Sequence, residues 1–226
     1  MTNSSSYGDS CAPFYDEIYG PPKADVLRGL CSLAKGGSVL ELGLATGRTA
    51  LALFARGLTV SGIESSSAML DQLRCKPGVD NIHIVEGDFA NICLPEQFDL
   101  VFALVNTFCL LETKLQQSEC LRNVAEMLKS DGVLVLEMFR PGNGDGEITA
   151  EGIRSSVRHE LETKFGRRVY EVDLLYPTVE DLDTLAEDAG LTLKQRWGDW
   201  RGTPYRPEVG NHVTLYGRTS HANSLE

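Results

Sequence analysis

Five short apolar segments, separated by segments of helical periodicity, restrict the fold of this chain more than any other feature. They cover residues 38–42, 59–64, 82–85, 98–105 and 133–139. Within each segment the apolar residues are continuous rather than alternating, which is typical of strands buried on both faces of a parallel sheet. This repeated strand–helix pattern predicts an α/β protein with a doubly wound, mostly parallel sheet.

The segments between the predicted strands carry the helical spacing. Apolar residues recur three and four positions apart in residues 23–35, 48–56, 67–74 and 115–128, which predicts amphipathic helices. Gly36 directly follows the first of these stretches and is expected to end it. The helices would return the chain to the same edge of the sheet, so that successive strands run parallel.

The C-terminal third has a different pattern. Residues 153–176 predict a β-hairpin inserted after the fifth strand, and residues 178–189 predict a helix that begins with a capping box. The last two predicted strands, residues 191–197 and 212–217, are joined by a loop that is too short for a helical crossover. We therefore expect a seven-stranded, Rossmann-like sheet whose last strand is antiparallel.

The length of 226 residues favours one domain with an elaboration, since domains average roughly 150 residues. We expect that domain at residues 13–219, after a disordered N-terminus at residues 1–12. The polar residues 220–226 are expected to form a loose tail, and their closing Leu225-Glu226 resembles an expression-vector remnant.

Charge and apolar pattern exclude several classes of partner. With 32 acidic and 21 basic residues the formal net charge is −11, the wrong sign for a nucleic-acid-binding face. No apolar run reaches the roughly 18 residues that a membrane span needs, so a cytoplasmic protein is expected. The six cysteines form no C-x-x-C pair and the four histidines no H-E-x-x-H motif, so we expect buried thiols and no protein-built metal site. Whether the chain forms a homodimer stays open.

The first predicted strand ends in a glycine turn that points to a nucleoside ligand. Gly43 and Gly47 lie in this turn, and Glu64 closes the second strand 21 residues after Gly43. In an open α/β sheet the ligand lies across the carboxyl ends of the strands, and an acid about 20 residues after the turn meets ribose hydroxyls. Ala45 stands where a dinucleotide site has its second glycine, which disfavours a nicotinamide cofactor. An ordinary tight turn, for which glycine alone would account, is the alternative.

Four segments, in order, resemble the motifs of the class I S-adenosylmethionine-dependent methyltransferases of small-molecule type. Residues 39–48 resemble the glycine-rich motif, residues 62–70 the acidic motif, residues 86–89 the adenine-binding turn and residues 128–137 the entry to the fifth strand. The resemblance extends over nearly the whole chain. It departs at Asp131, which stands where the family has the first of two glycines.

The resemblance implies a site for S-adenosyl-L-methionine, with S-adenosyl-L-homocysteine as the product. Glu64 would bind both ribose hydroxyls and Asp88 the adenine amine. Met69 would pack on the adenine, with plain core packing as the alternative. Tyr15 and Tyr19, four residues apart, would form a lid, with docking of an N-terminal helix as the alternative. The residues assigned to the cofactor are Tyr15, Tyr19, Glu41, Gly43, Ala45, Gly47, Glu64, Ser65, Met69, Gly87, Asp88, Phe89 and Leu104.

Polar residues at the carboxyl ends of the later strands are the candidates for the acceptor side. Methyl transfer is an in-line displacement, so positioning the acceptor can be the largest contribution of the enzyme. Because the last strand is expected to be antiparallel, His212 returns to this edge, and an ordinary pKa near 6.5 suits a general base; a histidine that merely caps the strand is the alternative. The catalytic candidates are His212 and Asn106, and the substrate-binding candidates are Glu137, Arg140, Trp200, Arg201 and Tyr205.

The segment after the fourth strand limits the acceptor. It reads Asn106-Thr-Phe-Cys109, without the Asn-Pro-Pro-Tyr signature of nucleic-acid and glutamine methyltransferases and without the carboxylates of a catechol-type magnesium site. We therefore predict methyl transfer to N or O of a small-molecule metabolite, with secondary metabolism as a candidate context. Two alternatives stay open: an S-adenosylmethionine-binding protein that acts as a binder or as a non-methylating, cyclase-like enzyme, and a nicotinamide-dependent dehydrogenase.

Overall fold

The computed structural model describes residues 3–139, 146–163 and 166–219, which form a large and a small sheet flanked by helices. The predicted substrate residue Arg140 and the predicted tail lie outside the described residues. The strands are β1 Ser38–Leu42, β2 Thr59–Glu64, β3 Ile82–Glu86, β4 Phe98–Ala103, β5 Leu128–Met138, β6 Glu147–Thr149, β7 Gly152–Thr163, β8 Gly166–Tyr176, β9 Leu191–Trp197 and β10 His212–Arg218. The helices are α1 Asn3–Cys11, α2 Tyr15–Tyr19, α3 Ala24–Ala34, α4 Arg48–Phe54, α5 Ser67–Arg74, α6 Lys114–Met127 and α7 Val179–Asp188.

The large sheet has seven strands in the order β3-β2-β1-β4-β5-β10-β9. The first five strands pair in parallel, and β10 runs antiparallel to both of its neighbours, β5 and β9. The predicted doubly wound sheet with an antiparallel last strand is therefore confirmed. The strand order reverses between β1 and β4, and ligands of open α/β sheets bind in the crevice at such a point.

Two apolar layers hold the helices on the sheet. On one face, Leu30 of α3 and Leu53 of α4 belong to a buried cluster with the sheet residues. On the other face, Leu121 of α6 and Leu182 of α7 belong to a second buried cluster. Both faces of the sheet are covered, which explains why the strands read as continuous apolar runs.

The small sheet is the elaboration predicted after the fifth strand. Strands β7 and β8 pair antiparallel from Ile153 opposite Tyr176 to Thr163 opposite Gly166, and β6 pairs with β7. The observed hairpin, from Gly152 to Tyr176, thus agrees with the predicted residues 153–176 to within one residue. Tyr170 of β8 is buried against α1, with its ring centroid 5.7 Å from that of Tyr7.

The N-terminus differs from the prediction. Residues 1–12 were expected to be disordered because they are polar and Ser-rich, but Asn3–Cys11 forms α1. Tyr7 and Cys11 lie four positions apart on this helix, and both pack in an apolar cluster with Phe14, Met69 and Tyr170. Two apolar side chains at helical spacing, together with a hydrogen bond of 2.7 Å from Ser66 Oγ to the Asp9 carboxylate, therefore dock a helix of otherwise polar sequence.

The thiols also differ in part from the prediction. Cys11, Cys109 and Cys120 are buried, whereas Cys75 and Cys93 are exposed, and the six cysteines are free. No described helix is long and apolar enough to cross a membrane. Within the described part of the chain, no three His, Cys, Asp or Glu residues come together as metal ligands.

Candidate active site

The glycine turn after β1 lies at the crevice between β1 and β4. Gly43 and Gly47 have positive φ angles of 70° and 72°, and Ala45 between them has a φ of 49°. A Cβ atom on Gly43 would lie 2.5 Å from Cγ2 of Thr107, which follows β4. Gly43 is therefore required both by its backbone conformation and by the close approach of the next strand's loop.

Glu64 at the end of β2 is bound to the same turn. Its Oε2 accepts a hydrogen bond from the Ala45 amide at 2.7 Å, and its Oε1 accepts one from the Ser66 amide at 2.8 Å. Burial raises the pKa of this carboxyl, while these backbone bonds oppose the shift. Each carboxylate oxygen has a second lone pair, so the group keeps the capacity to accept hydrogen bonds from a pair of ligand hydroxyls.

Glu41 on β1 is buried next to the turn with one oxygen unsatisfied. Its Oε2 has no hydrogen-bond partner among the described residues, and burial raises its pKa to about 8 against the opposing charge of Arg48. Both residues line a small cavity of about 20 Å³ together with Tyr15 and Thr49. An unpartnered buried carboxyl oxygen beside an arginine suits the ammonium and carboxylate groups of an amino acid.

A second small cavity, of about 40 Å³, lies beyond Glu64. Met69 and Phe89 line it together with Ser65 and Gly8, and Met69 is 1% exposed. These apolar side chains are placed to pack against a flat ring. The order of groups from Glu41 through Glu64 to Met69 therefore fits the amino acid, ribose and base of S-adenosylmethionine.

Asp88 lies in the turn after β3 and bonds to the backbone of that turn. Its Oδ1 accepts a hydrogen bond from the Ala90 amide at 2.9 Å, which closes the turn after β3. The preceding Gly87 donates its amide to the Glu64 carbonyl at 2.8 Å and so fixes this turn beside β2. The role of Asp88 toward an adenine amine stays a prediction.

The N-terminal segment covers the glycine turn. The rings of Tyr15 and Tyr19 are 4.5 Å apart, and the Arg48 guanidinium lies over both at 5.6 and 5.3 Å from their centroids. Tyr7 on α1 shares a hydrogen bond of 2.9 Å with the Tyr19 hydroxyl. Tyr15 lines both small cavities, and Tyr19 packs on Tyr15 and Arg48. The lid role of the two tyrosines stays a prediction. Sequence reasoning missed Arg48, although a cation directly after a glycine turn is a usable signal for an anionic ligand group.

A larger cavity, of about 250 Å³, lies on the other side of Asn106 at the carboxyl end of β5. It is lined by the ends of β5 and β8, the start of α7, the β9–β10 loop and the start of β10. Tyr176 is part of its lining, and Tyr176 accepts a hydrogen bond from Asn106 Nδ2 at 3.2 Å. Thr107, next to Asn106, lines both small cavities. Asn106 and Thr107 therefore connect the lining of the large cavity, here called the His212 cavity, with the lining of the cofactor side.

Asn106 is bonded through both ends of its side chain. Its Oδ1 accepts the Phe139 amide at 2.6 Å, and its Nδ2 also donates to the Phe139 carbonyl at 3.2 Å. These bonds tie the end of β4 to the end of β5. Its predicted catalytic role stays a prediction, and the structure shows a link between strands.

His212 is the first residue of β10, at the edge where the topology placed it. It is 5% exposed, and burial together with the charge of Arg196 lowers its pKa to about 4. The Tyr205 ring meets the imidazole edge-on at a centroid distance of 5.7 Å. The general-base role stays a prediction, but the pKa near 6.5 on which it rested is corrected.

The other acceptor candidates divide into two groups. Glu137 is buried and bridges two groups, accepting the Trp200 indole N–H at 2.7 Å and the Val105 amide at 3.0 Å. Arg201 is exposed, with its Nε 3.9 Å from Asp25. Tyr205, in contrast, lines the His212 cavity. The structure thus brings Tyr205 and His212 together and places Glu137 and Trp200 in a structural contact.

Comparisons with known proteins agree with this geometry. A family model described as a methyltransferase domain matches residues 39–132. The chain is 30% identical over 191 residues to an uncharacterized methyltransferase of Geobacillus sp. (strain WCH70), with 82% of this chain and 84% of the relative covered. It is 25% identical over 231 residues to the cypemycin N-terminal methyltransferase of a Streptomyces species, with 91% and 94% covered. The solved CcbJ methyltransferase from Streptomyces caelestis is 30% identical and has a TM-score of 0.83, with 97% of this chain and 100% of that chain covered.

The chain therefore belongs to the S-adenosylmethionine-dependent methyltransferase family. It is an enzyme with the Rossmann-like methyltransferase fold, and S-adenosylmethionine is its cofactor. The dehydrogenase alternative is excluded, in agreement with Ala45 in the glycine turn.

Proposed function

We propose that the enzyme transfers the methyl group of S-adenosylmethionine to an amine nitrogen of a small-molecule acceptor that enters the His212 cavity. The observation that carries this proposal is the pair of adjoining sites at one sheet edge. The small cavities lie at β1, β2 and β4, and Asn106, next to Thr107 of their lining, donates a hydrogen bond to Tyr176 of the 250 Å³ cavity. This volume lies just below the roughly 300–1,000 Å³ of small-molecule sites, which favours a small metabolite.

The residues of the first site would hold the cofactor along its length. Glu64 would accept hydrogen bonds from the ribose hydroxyls, and Met69 would pack on the base. Glu41 and Arg48 would meet the ammonium and carboxylate groups at the other end. The cofactor supplies a methyl group on a positively charged sulfur, which is attacked in line by the acceptor's lone pair.

The choice of nitrogen over oxygen is supported by the acid–base groups of the His212 cavity. A hydroxyl acceptor must lose a proton as it attacks, whereas an amine in its free-base form already carries the lone pair. His212, with a pKa lowered to about 4, is a weak base for a hydroxyl. Tyr176 also lines the cavity, and burial raises its pKa, so it keeps its proton. The N-terminal amine named for the cypemycin relative agrees with this choice.

The reaction balances without an oxidant or a metal ion. The nitrogen lone pair forms the new N–C bond while the C–S bond breaks. The electron pair of the C–S bond stays on sulfur in S-adenosylhomocysteine. The nitrogen then carries a positive charge and releases a proton to solvent. The chain's own part is to align the two partners and to keep the amine against the cofactor cleft.

The test is mass spectrometry of acceptor libraries incubated with the protein and deuteromethyl-labelled cofactor. We expect a mass increase of one labelled methyl group on primary or secondary amines and none on matched alcohols. Glu64→Ala, which removes the ribose contact, serves as the inactive control. Labelling of alcohols alone would contradict the choice of nitrogen, and cofactor binding without any labelled product would favour a binder or a cyclase-like enzyme.

A further inference from the structure

A chain of three side chains ends at the His212 cavity. The Arg196 Nε donates a hydrogen bond to the Thr214 Oγ1 at 2.9 Å. The same Oγ1 lies 2.8 Å from the Nδ1 of His212. Thr214 is fully buried, and within the described residues Arg196 and His212 are the partners of its hydroxyl.

These hydrogen bonds from Arg196 through Thr214 to His212 determine which ring nitrogen of His212 carries the proton. Arginine can only donate hydrogen bonds, so the Thr214 oxygen accepts from Arg196 and its own proton needs a different acceptor. His212 Nδ1 is that acceptor when it is unprotonated. If Nδ1 carried the proton instead, the buried Thr214 hydroxyl would have two donors facing it and no acceptor, which costs about 1–3 kcal/mol.

Burial and the charge of Arg196 keep the imidazole neutral. They lower the pKa of His212 to about 4, and Asp183 opposes this shift. Asp183 is itself paired with Arg196 at 2.7 Å and accepts a hydrogen bond from Tyr216. A neutral imidazole with an occupied Nδ1 has its proton on Nε2.

We propose that His212 is a hydrogen-bond donor toward an oxygen atom of the acceptor molecule, and that this contact selects oxygen-bearing amines. The proposal rests on the proposed function, because it deepens the role of the same cavity. His212, expected from the sequence to be a general base, then binds and orients the substrate instead. The Arg196–Thr214 pair then keeps the proton of His212 on Nε2, the nitrogen that donates to the acceptor molecule.

The rest of the cavity agrees with a hydroxylated amine. Asn106 donates to the Tyr176 hydroxyl, so this hydroxyl keeps its own proton available for a second hydrogen bond. Glu180, at the start of α7, is an exposed carboxylate in the lining and suits the cationic form of an amine as it enters. Two hydrogen-bond donors, His212 and Tyr176, and the Glu180 carboxylate in one lining match a molecule that carries both hydroxyl groups and an amine.

The first experiment tests the donor without any acceptor. Nitrogen-15 NMR of histidine-labelled protein reports the protonation of each ring nitrogen, and His212→Gln identifies the His212 signals among the four histidines. We expect a protonated Nε2 and an unprotonated Nδ1 from pH 5.5 to pH 8. In Thr214→Val, which removes the hydroxyl at nearly constant shape, we expect the two tautomers to mix. A protonated Nδ1 in the wild type, or titration near pH 6.5, would overturn the proposal.

The second experiment tests what the donor recognises. The probes are D-glucosamine, an amine with several hydroxyl groups, and cyclohexylamine, a ring amine without them, each titrated in the presence of S-adenosylhomocysteine. We expect D-glucosamine to shift the His212 Nε2 signal and to bind at least fivefold more weakly to His212→Leu. Binding to His212→Gln, which keeps an N–H donor but has no basic ring, should stay within twofold. Cyclohexylamine should bind the wild type and both variants alike.

In this experiment, equal binding of D-glucosamine to the wild type and His212→Leu would overturn the inference and leave the proposed function standing, provided that amines still gain the labelled methyl group. No shift of His212 with either amine would overturn both the inference and the assignment of the cavity as the acceptor site. Neither readout requires turnover, whereas the deuteromethyl experiment does. A folded His212→Leu is verified by unchanged affinity for S-adenosylhomocysteine.

Discussion

The two ends of the crevice are built in different ways, although they lie at one edge of one sheet. The cofactor side is made of backbone amides and glycine conformations that are contributed by short segments, as shown by Glu64 on the amides of Ala45 and Ser66. The acceptor side is made of side chains that come from distant segments, as in the contact of Trp200 with Glu137. A site built from local backbone tolerates few substitutions and is recognisable from short sequence motifs. A site built from side chains of distant segments can change its ligand when those side chains are substituted.

The largest effect is expected from a side chain placed in the glycine turn. Gly43→Val would put a Cβ atom 2.5 Å from Thr107, so we expect affinity for S-adenosylhomocysteine to fall at least a hundredfold in calorimetry, or about 2.7 kcal/mol. Gly36→Val is the matched control, since Gly36 has a φ of 81° but nothing within 4 Å of such an atom. Equal losses in both variants would mean that backbone strain alone, and not the turn, affects binding.

The buried carboxyl of Glu41 should make stability depend on pH. Its pKa of about 8 in the folded protein is above the ordinary value of 4.5, so the stabilising contribution is fully present below pH 4.5 and is lost as the pH rises through 8. Glu41→Gln keeps the shape without the charge. We expect this variant to be more stable than the wild type at pH 9 by an amount on the order of 2 kcal/mol, and to show little difference at pH 4.5.

Chemical unfolding at the two pH values, without cofactor, measures the effect of Glu41→Gln. Glu137→Gln is the comparison on the acceptor side, because this carboxyl is also buried with a raised pKa but has hydrogen-bond partners for both oxygens. We expect Glu137→Gln to lose stability at both pH values, because Gln cannot accept hydrogen bonds through both ends of its side chain. The loss should be smaller at pH 9, because the raised pKa of Glu137 makes its ionised form less favourable in the folded protein. A gain in stability at pH 9 in Glu137→Gln would remove the distinction between the two carboxyls.

A smaller effect on cofactor binding is expected when the ribose contact of Glu64 is lost. Glu64→Gln replaces one carboxylate oxygen by an amide group that cannot accept from a backbone N–H, and hydrogen bonds to a charged group contribute about 1.5–3 kcal/mol. We expect affinity for S-adenosylhomocysteine to fall at least tenfold. Glu86→Gln is the control at the same level of the sheet, since Glu86 is the register partner of Glu64 on β3 and is exposed. Unchanged affinity in a folded Glu64→Gln would contradict the assigned ribose site.

The smallest effect is expected on the acceptor side, at Trp200. Trp200→Phe removes the N–H that binds Glu137 while the ring is largely kept, so we expect a loss of stability of about 1 kcal/mol. Affinity for S-adenosylhomocysteine should stay within twofold, because the contact lies outside the cofactor cavities. A large loss of cofactor affinity would show that the two ends of the crevice are coupled through β4 and β5.

The comparison also explains which parts of the molecule the sequence predicts. The parallel strands, the glycine turn and the position of Glu64 at the end of β2 follow from spacing along adjoining segments, because a strand, its turn and the next strand form one compact unit. The docking of α1 depends on Tyr7 meeting Tyr170, more than 160 residues later in the chain. No local sequence pattern predicts such a contact, and the Ser-rich composition of residues 1–12 predicts disorder instead.

The acceptor side shows the same limit for individual residues. Topology placed His212 at the correct edge of the sheet. Its low pKa and its proton position depend on Arg196 of β9 and on Thr214. Glu137 and Asn106 were predicted as site residues because polar groups at strand ends are exposed to ligands in this fold. In the structure they bond to other parts of the chain, and only the full packing reveals that.

The most direct test of the account is a crystal structure of the protein with S-adenosylhomocysteine. We predict both ribose hydroxyls within hydrogen-bond distance of the Glu64 carboxylate and the sulfur turned toward the loop that ends in Thr107. Helix α1 should shift away from Ser66, because a cavity of about 40 Å³ is smaller than a nucleoside and Gly8 packs tightly on Ser66. Binding of S-adenosylhomocysteine inside the His212 cavity, with Glu64 still bonded only to the protein's own amides, would contradict the division of the crevice into a cofactor side and an acceptor side.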